Sequence, residues 1–238
     1  MDDVQRAEIV VDGKIAESAL LAFPVPLSSM PAGWLSITEM RILYTLAQRA
    51  NGPILEIGAW LGRSTVAIAA GVRDNASNPA FDTCDFGITS AVEWNEKLQE
   101  SFDPFIKNTD DDIVVRSIFQ TGGSIALLID NLRKAGVLQQ VTSVIRGNAL
   151  AVPLRAKYSL IFCDTLHYES EIRAYGAFLN NLLVDGGWIA CDDVISEELG
   201  SILKEYIDFE FLAYSLPIDQ YSKFAIGKKR NLAQDVVE

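Results

Sequence analysis

Four short apolar runs in this chain end the same way. Ile54-Leu55-Glu56-Ile57 runs into Gly58, and Ala80 to Cys84 runs into Asp85. Tyr158 to Cys163 runs into Asp164, and Trp188 to Cys191 runs into Asp192-Asp193. Between them lie amphipathic stretches of helical spacing: Arg63 to Val72, Glu169 to Leu183 and Glu197 to Tyr206. Val141 to Ile145 adds a further strand, and Phe209–Tyr214 with Phe224–Ile226 a closing pair. Continuous rather than alternating apolar strands are buried on both faces, so the pattern predicts an α/β fold: a seven-stranded, mostly parallel sheet with helices on both faces. In such a sheet ligands bind beyond the carboxyl ends of the strands. The glycine and the acids therefore stand where a site is expected.

The 238 residues divide into a lead-in (1–34), one α/β domain (35–230) and a short tail (231–238). In the lead-in, Ile9-Val10-Val11 and Ile15 flank Asp12-Gly13, a candidate hairpin turn. Ser36, with Glu39 three residues on, predicts a capping box opening a helix that ends near Asn51-Gly52-Pro53. Residues 88–136 read as mostly helical, with Trp94, Leu98 and Phe102, then Ile125, Leu128, Ile129 and Leu132 at helical spacing. Segment 87–130 is an expected insertion after the second strand, with aromatic residues of 86–120 as candidate pocket lining.

Charge narrows the partners. Twenty Lys+Arg against 32 Asp+Glu leave a net charge of −12. That balance disfavours duplex nucleic acid and anionic membrane surfaces. Lys228-Lys229-Arg230 is expected to be a solvated end. No apolar run approaches the roughly 18–20 residues of a membrane span, and Met1-Asp2-Asp3 does not open a secretory leader. Three cysteines without CxxC spacing fit a reducing compartment, so a cytoplasmic location is expected. The cysteines themselves read as small buried hydrophobes.

The first glycine turn separates ligand classes. Gly58 permits a sharp turn, and Gly62 permits close helix packing. A dinucleotide fingerprint needs a further glycine against pyrophosphate, where Trp60 and Leu61 stand; a P-loop needs Gly-Lys-Ser/Thr, which is absent. Glu56 before the glycines suits a ligand bearing a cation. Asp85 can accept both hydroxyls of a ribose.

Glu56-Ile57-Gly58-x-x-x-Gly62-Arg63-Ser64-Thr65 resembles motif I of the class I S-adenosylmethionine-dependent methyltransferases. The nearer likeness is to metal-dependent sugar and cephalosporin-pathway O-methyltransferases of natural-product biosynthesis, over about Trp34 to Ile226. The resemblance implies a Rossmann-like sheet and a cofactor held by Glu56, Gly58, Gly62, Ser64, Asp85, Asn148 and Asp164. Asp85-Phe86 matches the family's ribose position, although its separation of 29 from Glu56 is long and makes Asp82 a rival. Asn148 stands at the adenine-contacting turn, where many members have Asp. The carboxylate of the cofactor's aminocarboxypropyl arm is expected near Gly58, Ser64 and the start of the 63–72 helix.

Asp164, Asp192 and Asp193 can converge from neighbouring strands. Three ionised carboxylates in a small space call for a cation, Mg²⁺ first, then Mn²⁺ or Ca²⁺. The spacing of 28 from Asp164 to Asp192 is similar to that of catechol-type O-methyltransferases. His167, the single histidine, matches the family's Asp-x-x-His pattern, with Thr165 where Gly is usual. The expected catalytic pair is His167 with Asp164. The expected reaction is methylation of a small-molecule hydroxyl (a diol, sugar or catechol), the cation lowering that hydroxyl's pKa and His167 taking its proton. Alternatives are metal-independent O- or N-methylation with His167 as base, and a non-catalytic S-adenosylmethionine-binding protein. Residues 1–30 are a candidate contact for a homo-oligomer.

Overall fold

A computed structural model of the chain describes residues 9–11, 14–90, 92–93, 120–214 and 223–231. Trp94, Leu98, Phe102 and most of the expected insertion lie outside the described residues, as do Asp12-Gly13 and 232–238.

Among the described residues nine strands form one sheet. They are β1 (Val10–Val11), β2 (Lys14–Ile15), β3 (Ile54–Ile57), β4 (Phe81–Asp85), β5 (Ser143–Arg146), β6 (Tyr158–Cys163), β7 (Leu183–Cys191), β8 (Phe209–Tyr214) and β9 (Ala225–Lys229). Their order is β1-β2-β8-β9-β7-β6-β3-β4-β5. The expectation of seven strands is corrected to nine. The lead-in hairpin pairs Val10 with Ile15, and its Lys14 pairs in parallel with Tyr214, so β1 and β2 extend the β8 edge. Pairing from β5 to β7 is parallel, while β9 runs antiparallel to both β7 and β8.

Among the described residues, five α-helices cover the sheet: α1 (Ile37–Arg49), α2 (Arg63–Asp74), α3 (Gly123–Lys134), α4 (Glu169–Leu182) and α5 (Glu197–Lys204). On one face Leu43, Ile68 and Leu128 from α1–α3 pack with Ile54, Phe81 and Phe162. On the other, Ile172, Leu179 and Leu203 from α4 and α5 pack with Leu55, Ile161 and Ile189. The expected capping box forms: Ser36 N–H donates to Glu39 Oε2 at 2.7 Å, and Glu39 N–H to Ser36 Oγ at 3.3 Å.

Two expectations change in detail. The strand expected from Trp188 begins five residues earlier, directly after the fourth helix. That helix stops at Leu182, and β7 begins at Leu183, with Gly186 at φ +73° beside a register shift against β6. Lys228 and Lys229 are strand residues rather than a solvated end. Lys228 Nζ pairs with Glu210 at 2.8 Å, and Lys229 Nζ donates to Leu183 O at 3.1 Å.

The lead-in belongs to the core. Its Leu20 and Val25 are buried there. Arg41 donates to Leu20 O at 2.9 Å, Arg49 to Ala19 O at 3.0 Å, and Arg63 to Pro31 O and Leu35 O, each at 2.9 Å. From β3 the chain winds outward to β4 and β5, then returns to the other side of β3 as β6. The order reverses there, and that is where a crevice opens in sheets of this kind.

Candidate active site

Register explains the repeated strand ends. Cys84, Ile57, Cys163 and Cys191 lie side by side across β4, β3, β6 and β7. All three cysteines are buried with free thiols. One residue further on come Asp85, Gly58, Asp164 and Asp192. Gly58 N–H reaches Cys84 O (2.9 Å), Asp164 N–H reaches Ile57 O (2.8 Å), and Asp192 N–H reaches Cys163 O (3.0 Å). Parallel, in-register strands thus turn a sequence repeat into one row of acids at the reversal point.

Gly58 is the gap in that row. Its φ is +90°, and a Cβ there would lie 2.5 Å from the carbonyl oxygen of Asp164. Gly62, at φ +93°, begins α2, and a Cβ on it would meet Leu128 of α3 at 2.6 Å. A cleft opens over this point. Ile57, Gly58, Cys84, Asp85 and Phe86 line one part of it; Gly147, Ala149, Thr165 and Tyr175 line the rest.

Asp85 is the acid that faces the cleft. Its Oδ2 accepts the Trp60 N–H and its Oδ1 the Gly87 N–H, both at 2.8 Å. A carboxylate has about four lone-pair directions, so these backbone contacts leave capacity for a ribose hydroxyl. Burial raises its pKa, and the backbone N–H groups of Gly87, Trp60 and Ala59 oppose the rise. The rival Asp82 is engaged elsewhere: it pairs with Arg155 Nε at 2.6 Å and accepts from Tyr158 Oη at 3.1 Å.

Glu56 is not at the cleft surface. It is fully buried, and its Oε2 accepts from the Thr65 and Thr83 hydroxyls at 2.7 and 2.6 Å. Its Oε1 has no hydrogen-bond partner. Desolvation pushes its pKa up to about 7 against the pull of the Ser64, Thr83 and Thr65 hydroxyls. Ser64 is likewise buried, with its hydroxyl acting on Glu56. Both residues thus brace the glycine turn from below. Asn148 is exposed, and its side-chain oxygen accepts from Leu150 N–H (3.0 Å) and Tyr175 Oη (3.4 Å).

Beside the cleft stands an acid–imidazole group. Asp164, His167 and Asp193 each offer a ligand atom within 4.8 Å of the others. His167 Nε2 lies 3.4 Å from Asp193 Oδ2 and 4.0 Å from Asp164 Oδ1, while its Nδ1 lies 3.4 Å from Glu171 Oε2. Of the expected cation triplet of Asp164, Asp192 and Asp193, Asp164 and Asp193 join His167 in the group that forms among the described residues, and Asp192 is not in it. Asp192 Oδ1 instead accepts the N–H of Asp193 at 3.0 Å, and Asp193 takes φ +61°, which swings its carboxylate towards His167. Burial and mutual repulsion raise the pKa values of Asp164 and Asp192, and Lys223 opposes both shifts.

Three participants had not been expected. Glu171 lies four residues after His167, a helical spacing that could have flagged it. Tyr175 reaches the cleft from α4. Lys223, whose Nζ is 3.0 Å from Asp193 Oδ1, carries no local signal.

Two carboxylates and an imidazole fit a divalent ion. The nitrogen donor shifts the best match from Mg²⁺ towards Mn²⁺, since Mg²⁺ favours all-oxygen shells.

A family model described as a methyltransferase domain matches residues 55–194. No curated protein matches the sequence. Solved structures share the fold at low identity. A cofactor-bound protein from MTB is 18% identical (TM-score 0.52), over 86% of this chain and 85% of that one. The Bacillus cereus O-methyltransferase in complex with SAH is 16% identical (TM-score 0.51), over 85% and 86%. A SAM-dependent O-methyltransferase from Thermotoga maritima is 14% identical (TM-score 0.50), over 84% and 68%.

Proposed function

This chain belongs to the class I methyltransferase-domain family, and on that premise we propose that it methylates a hydroxyl of a small molecule with S-adenosylmethionine. The observation that carries the reading is adjacency: Asp164 meets Gly58 at the cleft floor and leads within three residues to His167. Cofactor site and proton acceptor are thus neighbours on one sheet edge.

S-adenosylmethionine supplies an electrophilic methyl group. Asp85, oriented by backbone N–H groups that include those of Trp60 and Gly87, would hold the ribose hydroxyls. Gly58 would let the methionyl arm approach the backbone, and Gly147 and Ala149, which line the same cleft, would hold the base. Phe86 and Tyr175 keep water from that end of the cleft. His167 Nε2 takes the proton of the acceptor hydroxyl, and Asp164 and Asp193 stabilise the resulting imidazolium. Holding the two reactants in line supplies much of the rate.

Alternatively, Asp164, His167 and Asp193 would together hold a divalent ion, and the chemistry it would supply is a lowered pKa for the acceptor hydroxyl. The all-carboxylate Mg²⁺ reading narrows in this form to an Asp–His–Asp set suited to Mn²⁺. Its competitor is the metal-free reading, which the Lys223 contact on Asp193 favours. The expected acceptor carries two neighbouring hydroxyls, as in a catechol or sugar.

Calorimetry with S-adenosylmethionine is the first test, followed by transfer of labelled methyl to a panel of catechols and vicinal diols with Mn²⁺ or with EDTA. Saturable binding and transfer, lowered about 10²- to 10⁴-fold by His167→Ala, are expected. Absence of cofactor binding refutes the proposal. Turnover that persists in EDTA selects the metal-free route.

A further inference from the structure

Lys223 comes from outside the strand-end pattern, two residues before β9, and is held at two points. Its backbone N–H donates to Glu39 Oε1 at 2.7 Å. Glu39 is 1% exposed, and its other oxygen is fixed by the Ser36 N–H. Its ammonium lies 3.0 Å from Asp193 Oδ1, on the carboxylate whose Oδ2 faces His167. A full positive charge thus already sits on a carboxylate that a divalent ion would need. Ammonium and dication repel each other at this distance, and the shared carboxylate cannot serve both fully.

We propose that Lys223 is a tethered counter-ion of the Asp164–Asp193 pair, competing with divalent metal for those carboxylates. The inference rests on the reading of this edge as the acceptor side of a methyltransferase site. It adds that the chain carries its own cation there. Metal then binds only by pushing the ammonium off Asp193. The flexible four-carbon stem of lysine allows that movement, and the Glu39 contact keeps the backbone in place meanwhile.

The test compares Mn²⁺ binding by wild type, Lys223→Met, Lys223→Gln and Lys223→Arg, using calorimetry and water-proton relaxation. Removing the ammonium should tighten Mn²⁺ binding on the order of tenfold or more in both neutral variants. Lys223→Arg should stay near wild type. Adding Asp193→Asn to Lys223→Met should abolish the gain. Equal or weaker Mn²⁺ binding in the neutral variants overturns the proposal, and so does absence of Mn²⁺ binding in every protein. S-adenosylmethionine titrated into the same samples reports separately on the methyltransferase reading and on folding. If it fails to bind wild type, that reading falls, while the Mn²⁺ comparison still decides the role of Lys223.

Discussion

Glu56 stands just before the glycine turn, buried and off the cleft surface. Its position before the glycine turn suggested a ligand contact. The structure buries it under α2, with one oxygen bonded twice and the other without a partner. Its pKa rises from the model-peptide 4.5 to about 7. An acid with a raised folded-state pKa binds more protons in the folded protein. Its stabilising effect is complete below the unfolded value and is lost as pH rises through the folded one. Wild type should therefore lose stability between about pH 4.5 and 7 through this group. Glu56→Gln should flatten that loss, and melting curves at pH 5 and pH 8 check it: the variant gains on wild type only at the higher pH. Asp85 is the complementary case. Asp85→Ala should weaken S-adenosylmethionine binding at least about tenfold, as expected for loss of charge-assisted hydrogen bonds to a diol. Calorimetry reads that loss directly.

At the scale of elements, the turn after β3 and the start of α1 do separate work on the same site. Gly58→Ala places a Cβ 2.5 Å from Asp164 O at φ +90°. Backbone strain alone costs roughly 1–3 kcal/mol, and the clash forces β3 and β6 apart where the cofactor would lie. Lower unfolding midpoints in urea, together with lost cofactor binding, are the expected result. The α1 capping box reaches further than its helix. Ser36→Ala should cost about 1 kcal/mol of stability. Because Glu39 also holds the backbone of Lys223, it should perturb Mn²⁺ binding as well. An ordinary cap would change stability and leave metal affinity untouched. The box itself was legible from Ser36 and Glu39, because its partners are three residues apart. The second use of Glu39 was not, since it spans 184 positions.

The whole molecule is two helical layers on one sheet whose strand order reverses beside Gly58. A ligand bound only by the folded state adds stability by mass action. S-adenosylmethionine at about a hundredfold over its Kd should add ~2.7 kcal/mol and raise the Tm by roughly 5–10 °C for a chain of this size. NAD at the same concentration should give no shift, because Trp60 and Leu61 occupy the turn where pyrophosphate would need glycine. Thermal shift assays with both ligands decide this. Among the described residues no helix is long and apolar enough to cross a membrane. In the lead-in, Leu20 and Val25 sit in the shared core, and Arg41, Arg49 and Arg63 tie the segment down.

Local patterning sufficed for the strands from β3 to β9, the helices between them and the row of acids, because burial on both faces leaves an unbroken apolar run and turns leave glycine. It placed Asp85 and Asp164 at their strand ends, and His167 three residues on, for the same reason: strand ends are written in consecutive letters. Folding alone decided which aspartate joins His167, since that depends on the left-handed turn at Asp193 and on where Asp192 spends its oxygen. Folding alone also brought Lys223 to Asp193 and buried Glu56. Contacts between side chains remote along the chain have no period or spacing to betray them; they exist only once the sheet has closed its register.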